Sequence, residues 1–166
     1  MSSYIPEEFG GAGMDYTSYG IIVEEISRGC ASSGVLISAH TSLCVWPILN
    51  FGTAEQKTKY LPKLATDTVG CFCLSEPNAG SDPGTLSTFA EDKGEYYELS
   101  GTKNFITNGK DAGVAVVFAK TTKTNDHKGI TAFIVDTSWD GFKVQKLEDK
   151  LGIKGSSTAQ IFFDKV

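Results

Sequence analysis

The sequence predicts an α+β fold in which a helical segment, residues 1–67, precedes an antiparallel β-sandwich or open-barrel domain, residues 68–166. Two observations carry this prediction. Apolar residues recur at helical spacing before residue 68, whereas the period falls towards two after it. The second part also divides into many short strand-like runs with little helix between them, which favours an antiparallel sheet over a parallel one.

Three helices are predicted in the first part. A second helix spans about residues 32–49, and a third begins at Thr53, where Gln56 completes the pattern of a capping box. Pro62 is expected to limit the third helix or to begin a new turn. The first helix is indicated by apolar residues at helical spacing and a terminal glycine: Tyr19, Ile22, Val23, Ile26 and Gly29.

Eight candidate strands follow, separated by turn sequences such as "EDKGE" and "TNGK". They span residues 70–75, 85–90, 96–100, 103–106, 114–120, 130–136, 142–146 and 158–163. Both ends of the chain are abrupt, so we expect it to be a piece of a longer protein.

Composition and charge exclude several classes of protein. The formal net charge of −5, with acids and bases mixed along the chain, provides no basic stripe for nucleic acid. The first residues lack the features of a secretory signal, which predicts an interior compartment. Residues 29–54 are nearly free of charge, but the hydroxyl side chains there predict a helix buried in protein rather than a membrane span.

The cysteines predict no metal site or disulfide. Cys71 and Cys73 lie two positions apart on a predicted strand, so their side chains share one face. No metal-type spacing joins them to the other two cysteines. Buried, reduced thiols are expected at all four positions: Cys30, Cys44, Cys71 and Cys73.

Two glycine-containing segments and the two histidines lack the features that a nucleotide or metal site requires. "GGAGMD", residues 10–15, lacks a preceding strand and a third glycine in register, so a turn is expected instead of a dinucleotide loop. "GIKGSST", residues 152–158, lacks the glycine-lysine-hydroxyl order of a nucleotide-triphosphate loop. His40 and His127 have no cysteine or carboxylate at ligand spacing, which argues against a metal ion.

The segment "CFCLSEPNAGSD", residues 71–82, joins an apolar strand to a polar loop. The strand ends near Ser75 and Glu76, and the loop turns sharply because Pro77 fixes φ and Gly80 tolerates unusual conformations. Donor groups at the edge of an apolar surface suit a flat heteroaromatic ligand. An ordinary strand-to-loop transition is the alternative interpretation.

A second candidate segment is "KNFITNG", residues 103–109. On a regular strand Phe105 and Thr107 point to the same face, so a ring and a hydroxyl can meet one ligand. Asn108 and Gly109 are expected to form the turn. The alternative is the end of an ordinary hairpin.

Taken together, the sequence resembles the acyl-CoA dehydrogenase family, and most closely its short-chain, butyryl-CoA type. The resemblance covers nearly the whole chain in seven ordered segments. These are "PEEFGGAGMDY", "EEISRGCASSG", "FGTAEQKTKYLPKLA", "CFCLSEPNAGSD", "GTKNFITNG", "KGITAFIVD" and "EDKLGIKGSSTAQIFFDKV".

The resemblance implies a cofactor, a reaction and partners. The cofactor is FAD, the reaction converts short-chain acyl-CoA into 2-enoyl-CoA, and an electron-transfer flavoprotein accepts the electrons. Members of the family are usually homotetramers, and they work in the mitochondrial matrix or the bacterial cytoplasm. An acyl-CoA oxidase of the same fold and a non-catalytic interaction module stay open as alternatives.

The resemblance also implies the residues of the site. Ser75 bonds the pyrimidine end of the flavin, Phe105 lies against the ring system and Thr107 bonds at N5. Ser81 also contacts the acyl-CoA, and Phe105 stands where many relatives carry tryptophan. The implied cofactor-binding residues are Phe72, Leu74, Ser75, Gly80, Ser81, Phe105, Ile106 and Thr107.

The resemblance places the catalytic glutamate in a C-terminal helical domain, so we expect the general base to lie beyond Val166. We therefore assign no catalytic residue within residues 1–166 and expect the chain alone to be inactive, with weak FAD binding. Glu76 precedes Pro77 and is expected to serve the turn rather than proton transfer.

Overall fold

The computed structural model describes residues 3–123 and 127–166, and its helices all precede its first strand apart from one 3-10 turn, Pro83–Thr85. This order confirms the predicted α+β class. After a 3-10 turn at Glu7–Phe9, the helices are Tyr16–Gly29 (α1), Ala31–Ser38 (α2), a π-helical segment at Ala39–Val45, Trp46–Phe51 (α3) and Ala54–Thr66 (α4).

The capping box that the sequence predicts for α4 is present. The Thr53 hydroxyl accepts a hydrogen bond from the Gln56 N–H at 3.2 Å, and Gln56 Oε1 accepts one from the Thr53 N–H at 2.9 Å. The expectation that Pro62 limits this helix is wrong, because α4 continues to Thr66. Burial of apolar side chains on both sides of Pro62, Leu61 and Leu64 among them, offsets the cost of about 3 kcal/mol for an interior proline.

The second predicted helix has the expected extent but not a uniform geometry. Helices α2 and α3 are continuous through the π-helical segment, Ala39–Val45. By length and composition the stretch Ala31–Phe51 is apolar enough to cross a membrane. Its inner face is nevertheless buried in the core of the protein, and includes the side chains of His40 and Ile48.

The strands form one mixed sheet in which most pairs are antiparallel, as the sequence predicts, and parallel pairing is also present. Strand β1 pairs with β4 in parallel, whereas β2–β3, β3–β7, β4–β5 and β6–β7 are antiparallel. The β2–β3 hairpin lies within the long connection that parallel strands require. The strands are Val69–Cys73 (β1), Phe89–Asp92 (β2), Tyr97–Thr107 (β3), Ala112–Lys120 (β4), Ile130–Asp136 (β5), Phe142–Leu147 (β6) and Thr158–Phe163 (β7).

Two strand predictions need correction. The predicted strand 85–90 begins only at Phe89, because Pro83–Thr85 forms a 3-10 turn. The two predicted strands 96–100 and 103–106 are one strand, β3, which passes through Gly101 at a φ of 154°. Any side chain at Gly101 would collide with Thr88, so glycine allows the close approach that keeps β3 continuous.

Strand β4 separates the two hydrophobic clusters of the protein. Val114 and Val116 face the helices, together with apolar residues of the π-helical segment and α4. Ala115, Val117 and Ala119 face the opposite side, where strands β3 and β7 complete a second cluster. The alternation of a strand thus divides the core into two layers.

The residues after β7 continue the pairing with the sheet. The Val166 N–H donates to the Leu99 carbonyl oxygen at 3.0 Å, and the Leu99 N–H donates to the Val166 carbonyl oxygen at 2.7 Å. The Val166 side chain packs against the second cluster. Val166 is therefore held on strand β3 by hydrogen bonds and by apolar contact.

Three of the four cysteines are buried free thiols, as the sequence predicts. Cys71 and Cys73 share one face, with their sulfur atoms 3.8 Å apart. Cys30 is the exception and is exposed, because it lies at the junction between α1 and α2.

His40 links the π-helical segment to the sheet. Its side chain is fully buried, and its Nδ1 accepts a hydrogen bond from the Gly70 N–H at 2.9 Å. Burial lowers the pKa of His40 to about 4, so the imidazole is neutral at pH 7. The neutral form is required, because a protonated Nδ1 cannot accept from Gly70.

We expect His40 to make the stability of the protein depend on pH. Its pKa is about 4 in the folded state, against 6.5 for a histidine in water. Its contribution is therefore complete above pH 6.5 and is lost as the pH falls towards 4. Urea unfolding should show a loss of about 2 kcal/mol between pH 7.5 and pH 5.

The variant His40→Asn tests this assignment, because the asparagine oxygen can still accept from Gly70 but does not titrate. It should flatten the pH dependence between pH 7.5 and pH 5. The matched control is His127→Asn, since His127 is exposed. An equally steep pH dependence in His40→Asn would contradict the assignment.

Candidate functional site

The residues that follow β1 meet the end of strand β3. Lys103 Nζ donates to the Leu74 carbonyl oxygen at 3.0 Å, and the Asn104 N–H donates to the Ser75 carbonyl oxygen at 2.8 Å. Within the sheet, β1 pairs with β4 rather than with β3. These bonds therefore bring together the two candidate segments, residues 71–82 and 103–109.

A cavity of about 180 Å³ lies at this junction. Its lining residues are Ala39, Leu43, Phe72, Leu74, Ser75, Phe105, Ile106 and Thr107. Six of the eight predicted cofactor residues are in this set. The other two, Gly80 and Ser81, lie in the exposed loop beyond Glu76 and do not line the cavity.

Two lining residues come from the π-helical segment, and the sequence analysis did not single them out. Ala39 and Leu43 are four positions apart, so they lie on one side of the helical segment and form an apolar wall. The sequence provides little indication of these two residues, since a long apolar helix has several faces that are equally hydrophobic.

The two hydroxyl groups of the cavity are those of Ser75 and Thr107. In the part of the chain that the structure describes, neither hydroxyl has a hydrogen bond to another protein group. The remaining lining side chains are hydrocarbon or aromatic. The cavity is thus lined by two residues with unbonded hydroxyl groups and by six residues with apolar side chains, the combination expected for a flat heteroaromatic ligand.

A β-bulge shapes the β3 side of the cavity. The pairing of β3 with β7 shifts register between Lys103 and Ile106, and Phe105 adopts a φ of 57°. Three consecutive residues from Phe105 to Thr107 therefore line the cavity, which regular alternation does not allow. Phe105 and Thr107 line the same cavity as predicted, and because of the bulge Ile106 lines it as well. Phe105 remains 67% exposed, so it offers a free aromatic surface.

Asn108 fixes the helical wall relative to the strands. It begins the predicted turn after β3, with a φ of 63° that asparagine tolerates well. Its side-chain nitrogen donates to the Leu36 carbonyl oxygen at 3.0 Å and to the Gly70 carbonyl oxygen at 3.2 Å. One buried amide therefore ties helix α2, strand β1 and the β3–β4 turn together.

Glu76 is buried beside the cavity and is fully hydrogen-bonded. Its carboxylate accepts from the Ser87 N–H at 2.6 Å, the Ser87 hydroxyl at 2.8 Å and the Thr88 N–H at 3.0 Å. It also accepts from Lys103 Nζ at 2.7 Å. Its backbone forms two hydrogen bonds with Ala79 that close the loop, which confirms that Glu76 serves the turn.

The electrostatics of Glu76 argue against a role in accepting a proton. Burial raises the pKa of Glu76, but hydrogen bonds from Lys103, Thr88 and Ser87 outweigh that effect and lower the pKa to about 2. A carboxylate with this pKa and no free lone pair towards the cavity is a poor base. Burial lowers the pKa of Lys103, and Glu76 opposes this effect.

The chain matches a single family over nearly its whole length. Residues 1–68 match the N-terminal domain of acyl-CoA dehydrogenase, and residues 71–166 match its middle domain. The chain therefore belongs to the acyl-CoA dehydrogenase family, a family of FAD-dependent oxidoreductases. This confirms the class that the sequence resemblance implies.

Within this family, the chain is similar to short-chain enzymes. It is 52% identical over 161 residues to the human mitochondrial short-chain specific acyl-CoA dehydrogenase, covering 96% of this chain and 39% of the relative. The structure of butyryl-CoA dehydrogenase from Megasphaera elsdenii superposes with a TM-score of 0.95 at 42% identity. That match covers 99% of this chain and 44% of the other chain.

Two further solved structures are similar to this chain. A chain in a structure of the electron transferring flavoprotein of Acidaminococcus fermentans matches with a TM-score of 0.96 at 47% identity, over 99% of this chain and 43% of that chain. The acyl-CoA dehydrogenase of Bacillus anthracis, complexed with FAD, matches with a TM-score of 0.89 at 37% identity, over 99% of this chain and 28% of that chain. The chain thus spans less than half the length of these relatives.

We expect Glu76→Gln to lower the free energy of unfolding by about 3 kcal/mol. The amide has a single acceptor oxygen, so either Lys103 and the Thr88 N–H, or the two donors of Ser87, lose their acceptor on residue 76. Asp136→Asn is the matched control, because the Lys63–Asp136 pair is partly exposed, at 30% and 24%. Urea unfolding at pH 7 should show a loss of only about 1 kcal/mol for the control. Equal losses of unfolding free energy in Glu76→Gln and Asp136→Asn would contradict the prediction that the buried pair contributes more than the partly exposed one.

Proposed function

We propose that this chain forms one wall of the flavin and substrate site of a short-chain acyl-CoA dehydrogenase. The observation that carries the proposal is that Ser75 and Thr107, from two separate segments, line one cavity whose other lining side chains are apolar. FAD fits this chemistry, since its ring system is flat and carries acceptor atoms along one edge. When bound, FAD would supply the acceptor for the β-hydride of the acyl-CoA, and the 2-enoyl-CoA would form as a separate base removes the α-proton.

The proposed roles follow from the chemistry of the lining groups. Ser75 donates to the pyrimidine end of the flavin, where a fixed donor stabilises the negative charge of the reduced ring. Thr107 donates near N5, and the exposed ring of Phe105 provides a surface for stacking. Phe72, Leu74 and Ile106 exclude water from this side.

Gly80 and Ser81 are proposed to act from outside the cavity. Both lie on the exposed loop that Glu76 anchors, where an approaching ligand can reach them. The space beside Gly80 is open, because no other atom lies within 4 Å of where a Cβ would be. In this proposal Gly80 contacts the cofactor, and Ser81 contacts both the cofactor and the acyl-CoA.

We assign no general base to the described residues. Among them Glu76 is the carboxylate next to Ser75, and its low pKa and saturated hydrogen bonding unfit it for removing the α-proton. That the base is a glutamate beyond Val166 stays a prediction, which the family resemblance supports. In the proposed reaction the chain alone is then inactive, although it retains part of the cofactor site.

The proposed partners rest on the relatives. Butyryl-CoA is the substrate class indicated by the Megasphaera elsdenii enzyme, and an electron-transfer flavoprotein is the proposed electron acceptor. A homotetramer is proposed for the assembled enzyme. The relatives are both mitochondrial and bacterial, so either the mitochondrial matrix or the bacterial cytoplasm suits the proposal.

Titration of FAD with the chain tests the cofactor site. We expect saturable quenching of flavin fluorescence, weakened about 3- to 10-fold by Ser75→Ala or Thr107→Val, since each removes one hydrogen bond. Ser100→Ala is the matched control, because Ser100 is an exposed residue of the same strand as Thr107. Absence of quenching by the wild-type chain, or an equal effect of the control, would contradict the proposed site.

A chimera tests the reaction. This chain would replace the matching part of the Megasphaera elsdenii butyryl-CoA dehydrogenase, which supplies the rest of the enzyme. We expect butyryl-CoA to bleach the flavin absorbance under anaerobic conditions and isovaleryl-CoA to do so more slowly. A folded, FAD-loaded chimera that no acyl-CoA bleaches would refute the proposed function. Faster reoxidation by oxygen than by the flavoprotein would indicate an oxidase.

A further inference from the structure

The ion pair between Lys103 and Glu76 is buried as deeply as any part of the core. Lys103 Nζ lies 2.7 Å from Glu76 Oε1, and the two side chains are 0% and 2% exposed. We propose that this pair positions Ser75 for its bond to the cofactor. The inference rests on the proposed function, and it concerns residues that do not line the cavity themselves.

The pair holds the chain on both sides of Ser75. The Lys103 ammonium donates to the carbonyl oxygen of Leu74, the residue before Ser75, and to the carboxylate of Glu76, the residue after it. The Asn104 N–H donates to the carbonyl oxygen of Ser75 itself. Three consecutive residues are thus bonded to two consecutive residues of β3, so little freedom remains for the Ser75 backbone.

The same carboxylate also controls the loop that follows. Glu76 accepts hydrogen bonds from Ser87 and Thr88, which lie at the far end of that loop. The carboxylate therefore closes the loop containing Gly80 and Ser81 at its base. The buried Glu76 carboxylate therefore links the position of Ser75 to that of Ser81, the residue proposed to contact the substrate.

Stability alone is a weak reason for such a pair. A buried ion pair carries a large desolvation cost, and apolar residues of similar volume often stabilise a protein equally well. Apolar contacts do not fix direction, whereas three directed hydrogen bonds do. A donor that must meet a cofactor atom needs placement within about 0.5 Å, which directed bonds from a rigid strand can provide.

The test is a double-mutant cycle on FAD binding, with the variants Lys103→Met, Ser75→Ala and the two combined. If Lys103 acts through Ser75, each single variant weakens binding about 3- to 10-fold, and the double variant is no weaker than Ser75→Ala alone. Additive losses in the double variant would overturn the inference. Fluorescence quenching gives the dissociation constants, and the flavin absorption bands should shift alike in all three variants.

Lys63→Met is the matched control, since Lys63 also pairs with a carboxylate, at 2.9 Å from Asp136 and away from the cavity. It should lower stability without changing the FAD dissociation constant. A similar loss of binding in this control would overturn the inference, because loss of stability would then account for both. If Lys103→Met does not fold, Glu76→Gln takes its place in the cycle.

A second readout needs no cofactor. In the ligand-free chain, Lys103→Met should speed hydrogen exchange of the Asn104 amide, which donates to Ser75, while amides in the centre of β4 keep their protection. Unchanged exchange at Asn104 would overturn the inference. Wild-type chain that fails to bind FAD would contradict the proposed cofactor site, and exchange at Asn104 would still decide whether the pair holds Ser75.

Discussion

The structure depends on one constraint: two strands that are not partners in the sheet must end at the same point. Strand β1 pairs with β4, and β3 pairs with β2 and β7, so no ladder of hydrogen bonds brings the end of β1 to the end of β3. Lys103 and Asn104 make that connection through the carbonyl groups of Leu74 and Ser75. The cavity exists because these bonds hold both ends together at the edge of the core.

Two departures from regular geometry complete the cavity. The bulge at Phe105 turns three consecutive residues of β3 towards it, and the π-helical segment presents Ala39 and Leu43 from the other side. Both departures occur where hydrogen bonds from the buried side chains of Lys103 and Asn108 hold the surrounding backbone in place. Irregular backbone of this kind persists when the neighbouring structure over-determines it, and it is common at functional sites.

Local patterns predicted the local features well. The capping box at Thr53 and strand β5 at residues 130–136 required only neighbouring residues, and both were found as predicted. The parallel pairing of β1 with β4 and the partnership of Glu76 with Lys103 join residues far apart in the chain, which spacing and propensity do not encode. Only the family resemblance predicted that Ser75 and Thr107 serve one site, since the physical pattern alone favoured an ordinary loop and an ordinary hairpin end.

The size of the cavity sets a limit on what the chain can do alone. At about 180 Å³ it is smaller than the ~300 Å³ at which ligand pockets usually begin. The Phe105 ring is mostly exposed, so a flavin stacked on it would keep its other face in water. Two hydroxyl groups and one apolar wall can orient such a ring, but excluding water from the reacting atoms requires a second wall. In the proposed reaction the geometry therefore separates orientation of the flavin, the role proposed for this cavity, from enclosure, which the reaction also needs.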